Sequence, residues 1–210
     1  MCKKCTLLSM IRITSGVAKG KKLILPNEAL HPYGRSSFFC EQKNNKKVTA
    51  VKEVVKLAIF SILGDKIENA TCLDLFAGSG NLGIEALSRG ASFCDLVDES
   101  KYSIETIEKN LKNCELTDRA NPIWDDVLKY LGNTQSMYDI IFADPYYTET
   151  NHKHLVKLVM ERLNPHGLFF LLSSAGSAPI ELSKDLVDSV HLETRKYGKT
   201  LLTIISAKVS

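Results

Sequence analysis

The chain has 210 residues, of which 44% are hydrophobic and 24% are charged. This composition is typical of one globular domain with a full core. No apolar run reaches the roughly 18–20 residues that span a bilayer. The N-terminus, MCKKCTLLSMIR, lacks the apolar core and cleavage site of a signal peptide. The sequence therefore argues against a membrane or secreted protein and predicts a cytoplasmic one.

The charge is unevenly distributed along the chain. The net charge is only +3, but residues 1–56 carry 12 Lys or Arg and 3 Glu, while the remaining residues carry 15 basic and 21 acidic side chains. A basic N-terminal segment on an acidic body favours a polyanionic partner. The alternative is a solvated tail that binds nothing.

In chain order, the first predicted elements are short. Residues 11–25, IRITSGVAKGKKLIL, indicate two strands joined at a Gly-rich basic turn. A polar loop is predicted at 27–47. Apolar residues at helical spacing follow over 48–63, and Gly64 ends that helix. The sequence thus divides into a basic N-terminal extension, residues 1–47, and a main domain, residues 48–210.

From Thr71 onward, segments of strand and helix length alternate. Strands are predicted at 71–76, 93–97, 120–124, 139–143 and 167–173, and helices at 81–89, 100–113, 126–131 and 151–163. Such a βαβ series folds into a mostly parallel sheet covered on both faces. Two final strands joined at Gly198-Lys199 predict an antiparallel hairpin that closes the edge of the sheet.

A glycine-rich turn follows the first strand of this series. In CLDLFAGSGNLGIEALSRGA, residues 72–91, an apolar strand runs into Gly78, Gly80 and Gly83, and a helix begins at once. Glycines let the backbone turn sharply and let a ligand approach. Asp98, at the end of the next strand, is placed to bind both hydroxyls of a ribose. The pattern predicts a ribose-containing cofactor; a turn that serves packing alone is the alternative.

The pattern allows two cofactors, NAD and S-adenosylmethionine, and Asp74 helps to distinguish them. It precedes Gly78 by four residues, and its carboxylate suits the cationic amino group of S-adenosylmethionine better than a pyrophosphate. After the third strand, the pair Asp125-Asp126 offers an acceptor for the adenine amino group. Asp126 would equally make a good helix N-cap, and both roles are compatible.

The stretch FADPYY places Asp144, Pro145, Tyr146 and Tyr147 after the fourth strand, where ligands bind in open α/β sheets. The Asp144 carboxylate and the Pro145 carbonyl could each accept a hydrogen bond from one N–H group of a nucleobase amino group. Together they would direct its lone pair at a methyl group. Tyr147, with Tyr146, offers a flat face for an extruded base. An Asp-Pro turn with surface tyrosines is the structural alternative.

Together, DLFAGSGNLGIEALSRGA, DPYY, the opening MIRITSGVAKGKKLILP and the closing KYGKTLLTI resemble the RsmD-type bacterial 16S rRNA guanine-N2 methyltransferases. The resemblance runs from Met10 to about Ile205. It implies a Rossmann-like α/β class I methyltransferase fold, with a seven-stranded mostly parallel sheet, an antiparallel C-terminal hairpin and a small N-terminal β extension. It also implies S-adenosylmethionine as cofactor and small-subunit rRNA, in the assembling 30S particle, as substrate.

The resemblance also assigns expected roles to residues of this chain. The catalytic motif would be Asp144, Pro145 and Tyr147, and the cofactor site Asp74, Gly78, Gly80, Asp98 and Asp126. Tyr146 is a further catalytic candidate, and Phe76 is a further cofactor-binding candidate. The candidates for RNA contact are the basic residues Arg12, Lys19, Lys21, Lys22, Lys46 and Lys47.

The sequence departs from that family in two places. Tyr146 replaces the second proline of the usual Asp/Asn-Pro-Pro-aromatic motif, which makes the loop less rigid. KKVTAVKEVV stands where the family has an Arg-Pro-Thr stretch and an Asp-Arg pair near the substrate. The family also tends to begin at the equivalent of Met10, so residues 1–9 are expected to be dispensable or absent from the native protein.

Three rival functions remain open at this level: N6-adenine methylation of DNA, a nicotinamide-dependent dehydrogenase, and a non-catalytic rRNA-binding assembly factor. A monomer without a stable protein partner is the default expectation. The six cysteines include a single CxxC, Cys2 and Cys5, without a second CxxC or paired histidines. We therefore expect reduced thiols and no metal site.

Overall fold

The computed structural model describes residues 11–26, 45–145, 152–176, 180 and 182–208. Its strands are β1 (Ile11–Arg12), β2 (Lys22–Leu23), β3 (Thr71–Leu75), β4 (Phe93–Asp98), β5 (Ala120–Trp124), β6 (Tyr138–Ala143), β7 (Leu163–Ser174), β8 (Val190–Tyr197) and β9 (Thr200–Ala207). Its α-helices are α1 (Asn45–Leu63), α2 (Asn81–Ser88), α3 (Lys101–Cys114), α4 (Val127–Asn133), α5 (His152–Met160) and α6 (Lys184–Val187). Short 3₁₀ turns lie at Gly64–Ile67 and Thr117–Arg119.

Seven strands form one sheet in the order β5-β4-β3-β6-β7-β9-β8. Neighbouring strands from β5 to β7 are parallel, and β9 is antiparallel to both β7 and β8. The predicted mostly parallel sheet with an antiparallel C-terminal hairpin is therefore confirmed. The strand order reverses direction at β3, with β4 on one side and β6 on the other, and ligands bind at such a switch point.

The central strands are apolar on both faces because helices cover both sides of the sheet. In β3, Cys72 contributes to one buried cluster, while Leu73 and Leu75 contribute to the other. The first cluster lies under α1, α2 and α3, and the second lies under α4 and α5. Alternation along each strand thus holds the carboxyl ends of β3, β4 and β6 between two packed layers.

The N-terminal hairpin packs against the first of these layers. Strands β1 and β2 pair antiparallel, as predicted, with Ile11 opposite Leu23. Ile13 and Leu23 are buried in the same cluster as Ile59 of α1 and Leu87 of α2. The hairpin therefore shares a hydrophobic core with α1 and α2.

Several element boundaries differ from prediction; helix α5, for example, ends at Met160 rather than at residue 163. Helix α1 begins at Asn45 rather than at residue 48, and the short helix α6 was not predicted. Strand β7 begins at Leu163 rather than at residue 167. Leu163 pairs with Tyr138, and the register then shifts before Leu168 pairs with Ile140. The sequence NPHG at this irregularity is typical of a loop, because proline donates no hydrogen bond, and it conceals the start of the strand.

Candidate cofactor and catalytic site

Three predicted carboxylates lie at the carboxyl ends of adjacent parallel strands. Asp74 is in β3, Asp98 ends β4, and Asp144 follows β6 directly. In the β3–β6 pairing, Asp74 lies opposite Phe142 and Leu75 opposite Ala143, so Asp144 emerges next to the first residue after β3. The topology therefore brings together the residues predicted to bind cofactor and the first residue of the predicted catalytic motif.

The glycine-rich turn has a backbone that ordinary side chains rarely adopt. Gly78 and Gly80 have φ values of +57° and +75°, and Phe76 has a φ of +57° despite its side chain. A Cβ at Gly78 would have only the Phe76 carbonyl oxygen within 4 Å, at 3.9 Å. That side of the turn is open enough for a ligand to approach the backbone. Phe76 lies at the bend between β3 and the turn, and its cofactor-binding role stays a prediction.

Gly83 has a different role in the same segment. A Cβ there would lie 2.8 Å from Leu96 Cδ2 and 2.9 Å from Cys94 Sγ. Glycine is therefore required for α2 to pack closely on β3 and β4. These contacts explain why the turn needs a glycine beyond those that face the ligand.

Asp98 holds the glycine-rich turn in place. Its Oδ2 accepts a hydrogen bond from the Gly78 N–H at 2.8 Å, and its Oδ1 accepts one from the Ser100 N–H at 2.9 Å. Both carboxylate oxygens therefore take part in shaping the turn. The ribose-binding role of Asp98 stays a prediction.

Asp74 is a buried carboxylate with an unusual titration. Only 2% of its surface is exposed, and its Oδ2 accepts a hydrogen bond of 2.8 Å from the Gly83 N–H. Burial raises the pKa of Asp74 to about 8; the Gly83 hydrogen bond opposes this rise, and the charges of Asp144 and Asp98 add to it. Three acids within electrostatic range of one another are stabilised by a cationic ligand and repel an anionic one.

Asp126 lies where the sequence placed it, before α4. Its Oδ1 accepts a hydrogen bond of 2.8 Å from the Lys129 N–H, so the N-cap role is confirmed. Asp125 forms an ion pair of 2.8 Å with Lys129 Nζ. The adenine-binding role of Asp126 stays a prediction.

Pro145 is buried, and the preceding Asp144 is half-buried. This position keeps the Asp144–Pro145 backbone at the sheet edge, beside Asp74 and the glycine-rich turn. Tyr146 and Tyr147 lie outside the described residues, so their predicted stacking role stays a prediction.

The sequence profile of the family described as Conserved hypothetical protein 95 matches residues 40–206. YlbH of Bacillus subtilis, provisionally named an rRNA methyltransferase, is 36% identical over 153 residues, which are 71% of this chain and 83% of that protein. Ribosomal RNA small subunit methyltransferase D of Buchnera aphidicola is 36% identical over 156 residues, 74% of this chain and 70% of that protein. The solved structure of yhhF from Escherichia coli matches with a TM-score of 0.76 at 22% identity, covering 96% of this chain and all of that one.

The chain belongs to the Conserved hypothetical protein 95 family. The predicted kinship with RsmD-type methyltransferases is thereby confirmed, because the relatives that match over most of their length include proteins of that name. The predicted class I methyltransferase fold is confirmed as well. The roles of individual residues stay predictions.

The predicted RNA-binding residues lie on the hairpin and at the start of α1. Arg12, Lys19 and Lys22 are exposed, and Lys21 is partly exposed, with its Nζ 3.6 Å from Glu115. Lys46 and Lys47 lie in the first turn of α1, and their side chains are outside the described part of the structure. The exposed basic residues of the hairpin thus face solvent, together with Val17 and Ile24, while Ile11, Ile13 and Leu23 face the core.

Sequence reasoning missed a set of buried polar residues between the hairpin and the glycine-rich turn. Glu85 is fully buried, Lys56 is 2% exposed, and their charged atoms are 3.0 Å apart. Asn110 is fully buried among the apolar residues of α3. The available signal was a polar residue on the apolar face of each helix, which requires a buried partner.

Neither a metal site nor a membrane span is found where the structure is described. Over those residues, no group of three or more His, Cys, Asp or Glu could hold a metal ion. Likewise, no described helix combines the length and apolar character needed to cross a bilayer. Cys2 and Cys5 lie outside the described residues.

Proposed function

We propose that this chain transfers a methyl group from S-adenosylmethionine to the exocyclic N2 amino group of a guanine in small-subunit rRNA. The observation that carries the proposal is the position of Asp144-Pro145 at the end of β6, directly beside Asp74 and the glycine-rich turn. Family membership supports it, since a relative over 70% of its length is named ribosomal RNA small subunit methyltransferase D.

The donor set at the strand ends fits this cofactor. S-adenosylmethionine carries positive charge on its sulfonium and amino groups. Burial chiefly raises the pKa of Asp74, and the charges of Asp144 and Asp98 add to the rise, so a cation bound there would favour the ionised carboxylate. A dinucleotide would bring a pyrophosphate toward these carboxylates and be repelled. Asp98, at the end of β4, would bind the ribose hydroxyls, and the open side of Gly78 leaves room for the ligand.

When bound, S-adenosylmethionine supplies an electrophilic methyl group. The task of the protein is to make a weakly nucleophilic amino group react, since its lone pair is delocalised into the guanine ring. Asp144 accepts a hydrogen bond from one N–H group of the amino group, and the Pro145 carbonyl accepts one from the other. These two bonds favour a pyramidal nitrogen with its lone pair directed at the methyl carbon. The cofactor would give up its methyl group and leave as S-adenosylhomocysteine, while Asp144 would accept the proton displaced from the methylated nitrogen and pass it to solvent.

The RNA would bind across the hairpin and the loop that contains Tyr146 and Tyr147. Arg12, Lys19 and Lys22 are exposed and can contact phosphates, while a tyrosine stacks on the extruded guanine. We infer that the protein acts as a cytoplasmic monomer on the assembling 30S particle, without a stable protein partner.

A methyl-transfer assay tests the proposal. Protein and tritium-labelled S-adenosylmethionine are mixed with 30S particles from cells lacking this enzyme, with naked 16S rRNA, and with duplex DNA. We expect label in the 30S or rRNA sample that digests to N2-methylguanosine. Label in DNA alone would indicate the adenine-methylating rival. Binding of cofactor and rRNA without transfer would indicate the assembly-factor rival, and no cofactor binding would reject the proposal.

A further inference from the structure

The residues on either side of Gly80 are each bound by a buried side chain that also binds the N-terminal hairpin. On one side, the Asn110 Nδ2 group donates to the Ser79 carbonyl at 2.9 Å and to the Ile24 carbonyl at 2.8 Å. The Asn110 Oδ1 atom accepts from the Ile24 N–H at 2.7 Å. The fully buried Asn110 amide therefore links the glycine-rich turn to the backbone directly after β2.

On the other side of Gly80, Lys56 makes the equivalent link. Its Nζ donates to Asn81 Oδ1 at 3.0 Å and to the Arg12 carbonyl of β1 at 2.6 Å. It also pairs with Glu85 at 3.0 Å. Both strands of the hairpin are thus tied to the turn, each through one buried polar side chain.

These contacts restrain the hairpin and the turn as one unit. Displacing β2 from the body would leave the Asn110 amide, which is fully buried, without its Ile24 partners. Glu85 adds to the restraint, because its carboxylate accepts hydrogen bonds from the Thr14 and Ser15 N–H groups at 2.8 and 3.2 Å. The exposed side of this hairpin carries Arg12, Lys19 and Lys22.

We propose that Asn110 is a positioning residue that couples RNA binding at the hairpin (residues 11–26) to cofactor binding at the glycine-rich turn (residues 77–80). RNA on the basic side of the hairpin fixes Ile24, Asn110 then holds the Ser79 carbonyl, and the turn is held in its cofactor-binding form. The two ligands therefore bind with positive and reciprocal coupling. The inference rests on the proposed function, because it takes RNA and S-adenosylmethionine as the ligands.

The test measures the affinity of S-adenosylhomocysteine by calorimetry, with and without saturating in vitro transcribed 16S rRNA. For the wild type we expect RNA to tighten binding by about tenfold, within the usual range of allosteric coupling. Asn110→Asp keeps the side-chain shape and the acceptor for the Ile24 N–H but loses both donated bonds. We expect its coupling to fall to about twofold or less.

Asn113→Ala is the matched control, one turn further along α3. The Asn113 side chain is exposed and donates to the Lys22 carbonyl of the hairpin at 3.1 Å, but no bond from it to the turn is present among the described contacts. We expect this variant to keep the wild-type coupling. If Asn110→Asp also kept it, or if both variants lost it equally, the assignment to Asn110 would be overturned.

A second measurement uses the wild type alone, in case the buried substitution prevents folding. Hydrogen exchange of the amides of residues 77–83 is followed without cofactor, before and after adding the 16S rRNA transcript. We expect RNA to slow exchange in this segment as well as in the hairpin, and slowing in the hairpin alone would overturn the coupling. A wild type that methylates rRNA but shows no coupling rejects this inference only, whereas a wild type that binds no cofactor rejects the proposed function.

Discussion

Two buried carboxylates, only eleven positions apart in the chain, have pKa values that are shifted in opposite directions. Glu85 of α2 is fully buried and is surrounded by Lys56, Arg89 and Thr14. Burial alone would raise the pKa of Glu85, but these neighbours together hold it below its usual value. Asp74 of β3 is equally buried, yet its pKa is raised to about 8 and no cation in the described structure contributes to that shift.

The contrast is the one we expect between an acid that stabilises the fold and an acid that binds a cationic ligand. A buried charge that has cationic and N–H partners within the fold stabilises the contact between the hairpin and α2. A buried carboxylate next to two other acids is unfavourable until a cation arrives, and such perturbed groups concentrate at functional sites. The predictions that follow test this distinction.

The largest expected effect concerns Asp144, the acid nearest the transferred methyl group in the proposed reaction. Asp144→Ala removes one acceptor for the amino group and should lower methyl transfer by about 10²–10³-fold or more. Affinity for S-adenosylhomocysteine should change by less than about threefold, because Asp74 and Asp98 remain. Asp118→Asn, at an exposed carboxylate, is the control. A collapse of cofactor affinity in Asp144→Ala would show that Asp144 belongs to the cofactor site instead.

Glu85→Gln should strongly destabilise the fold. It leaves the Lys56 ammonium buried without its counter-charge, which typically costs about 3–5 kcal/mol. Because the pKa of Glu85 is lowered in the folded state, this stabilisation is present above the unfolded-state pKa and is lost as pH falls through the folded-state pKa. Urea unfolding should therefore show the loss at pH 7 and a smaller loss in acid.

Glu115→Gln provides the comparison for that measurement. Glu115 is exposed and lies 3.6 Å from Lys21, so the change should cost about 0–1 kcal/mol. Equal effects of the two substitutions would mean that the buried Lys56–Glu85 pair contributes no more than a surface pair.

Asp74→Asn should act in the opposite direction. A carboxylate whose folded-state pKa is raised destabilises the fold increasingly as pH rises from about 4 to about 8. Its replacement by a neutral isostere should therefore stabilise the ligand-free protein by about 5 kcal/mol at pH 8 and by nearly nothing at pH 4. The same change should weaken S-adenosylmethionine binding at least tenfold, which we expect from the loss of a charge-assisted contact. A variant that is both less stable and binds normally would reverse the assignment of Asp74.

The sequence predicted the fold well because each element carries its own signal. The apolar runs of β3, β4 and β6 and the helical spacing of α3 are local patterns, and their order determines a parallel sheet. The acids at the strand ends were predictable for the same reason, since topology alone brings those ends together. The start of β7 was missed because Pro165 and Gly167 lie inside a register shift that the fold tolerates.

The buried polar links were not predictable from spacing. Asn110 binds Ile24 across 86 positions, and Lys56 binds Arg12 across 44. No local period relates such residues, and a single polar residue within an apolar helix face indicates only that a partner exists. The titration of Asp74 was also invisible, because it depends on the depth of burial and on carboxylates contributed by other strands.

The pH dependence of binding should distinguish the titration of Asp74 from the titration of the ligand's amino group. Below pH 8 the free protein carries a proton on Asp74, and binding of a cationic amino group favours its release. Affinity for S-adenosylhomocysteine should therefore rise with pH, by at most tenfold per unit, until about pH 8. Above that, the amino group of the ligand loses its own proton, with an ordinary pKa of about 8, and affinity should fall. In Asp74→Asn the rising limb should disappear and the falling limb should remain.

Calorimetry in buffers of different ionisation enthalpy checks this directly, because the wild type should release protons on binding at pH 7 and the variant should not. If the rising limb survived in Asp74→Asn, the titrating proton would belong to Asp144 or Asp98. Glu85 would then contrast with the three acids as a set and not with Asp74 alone.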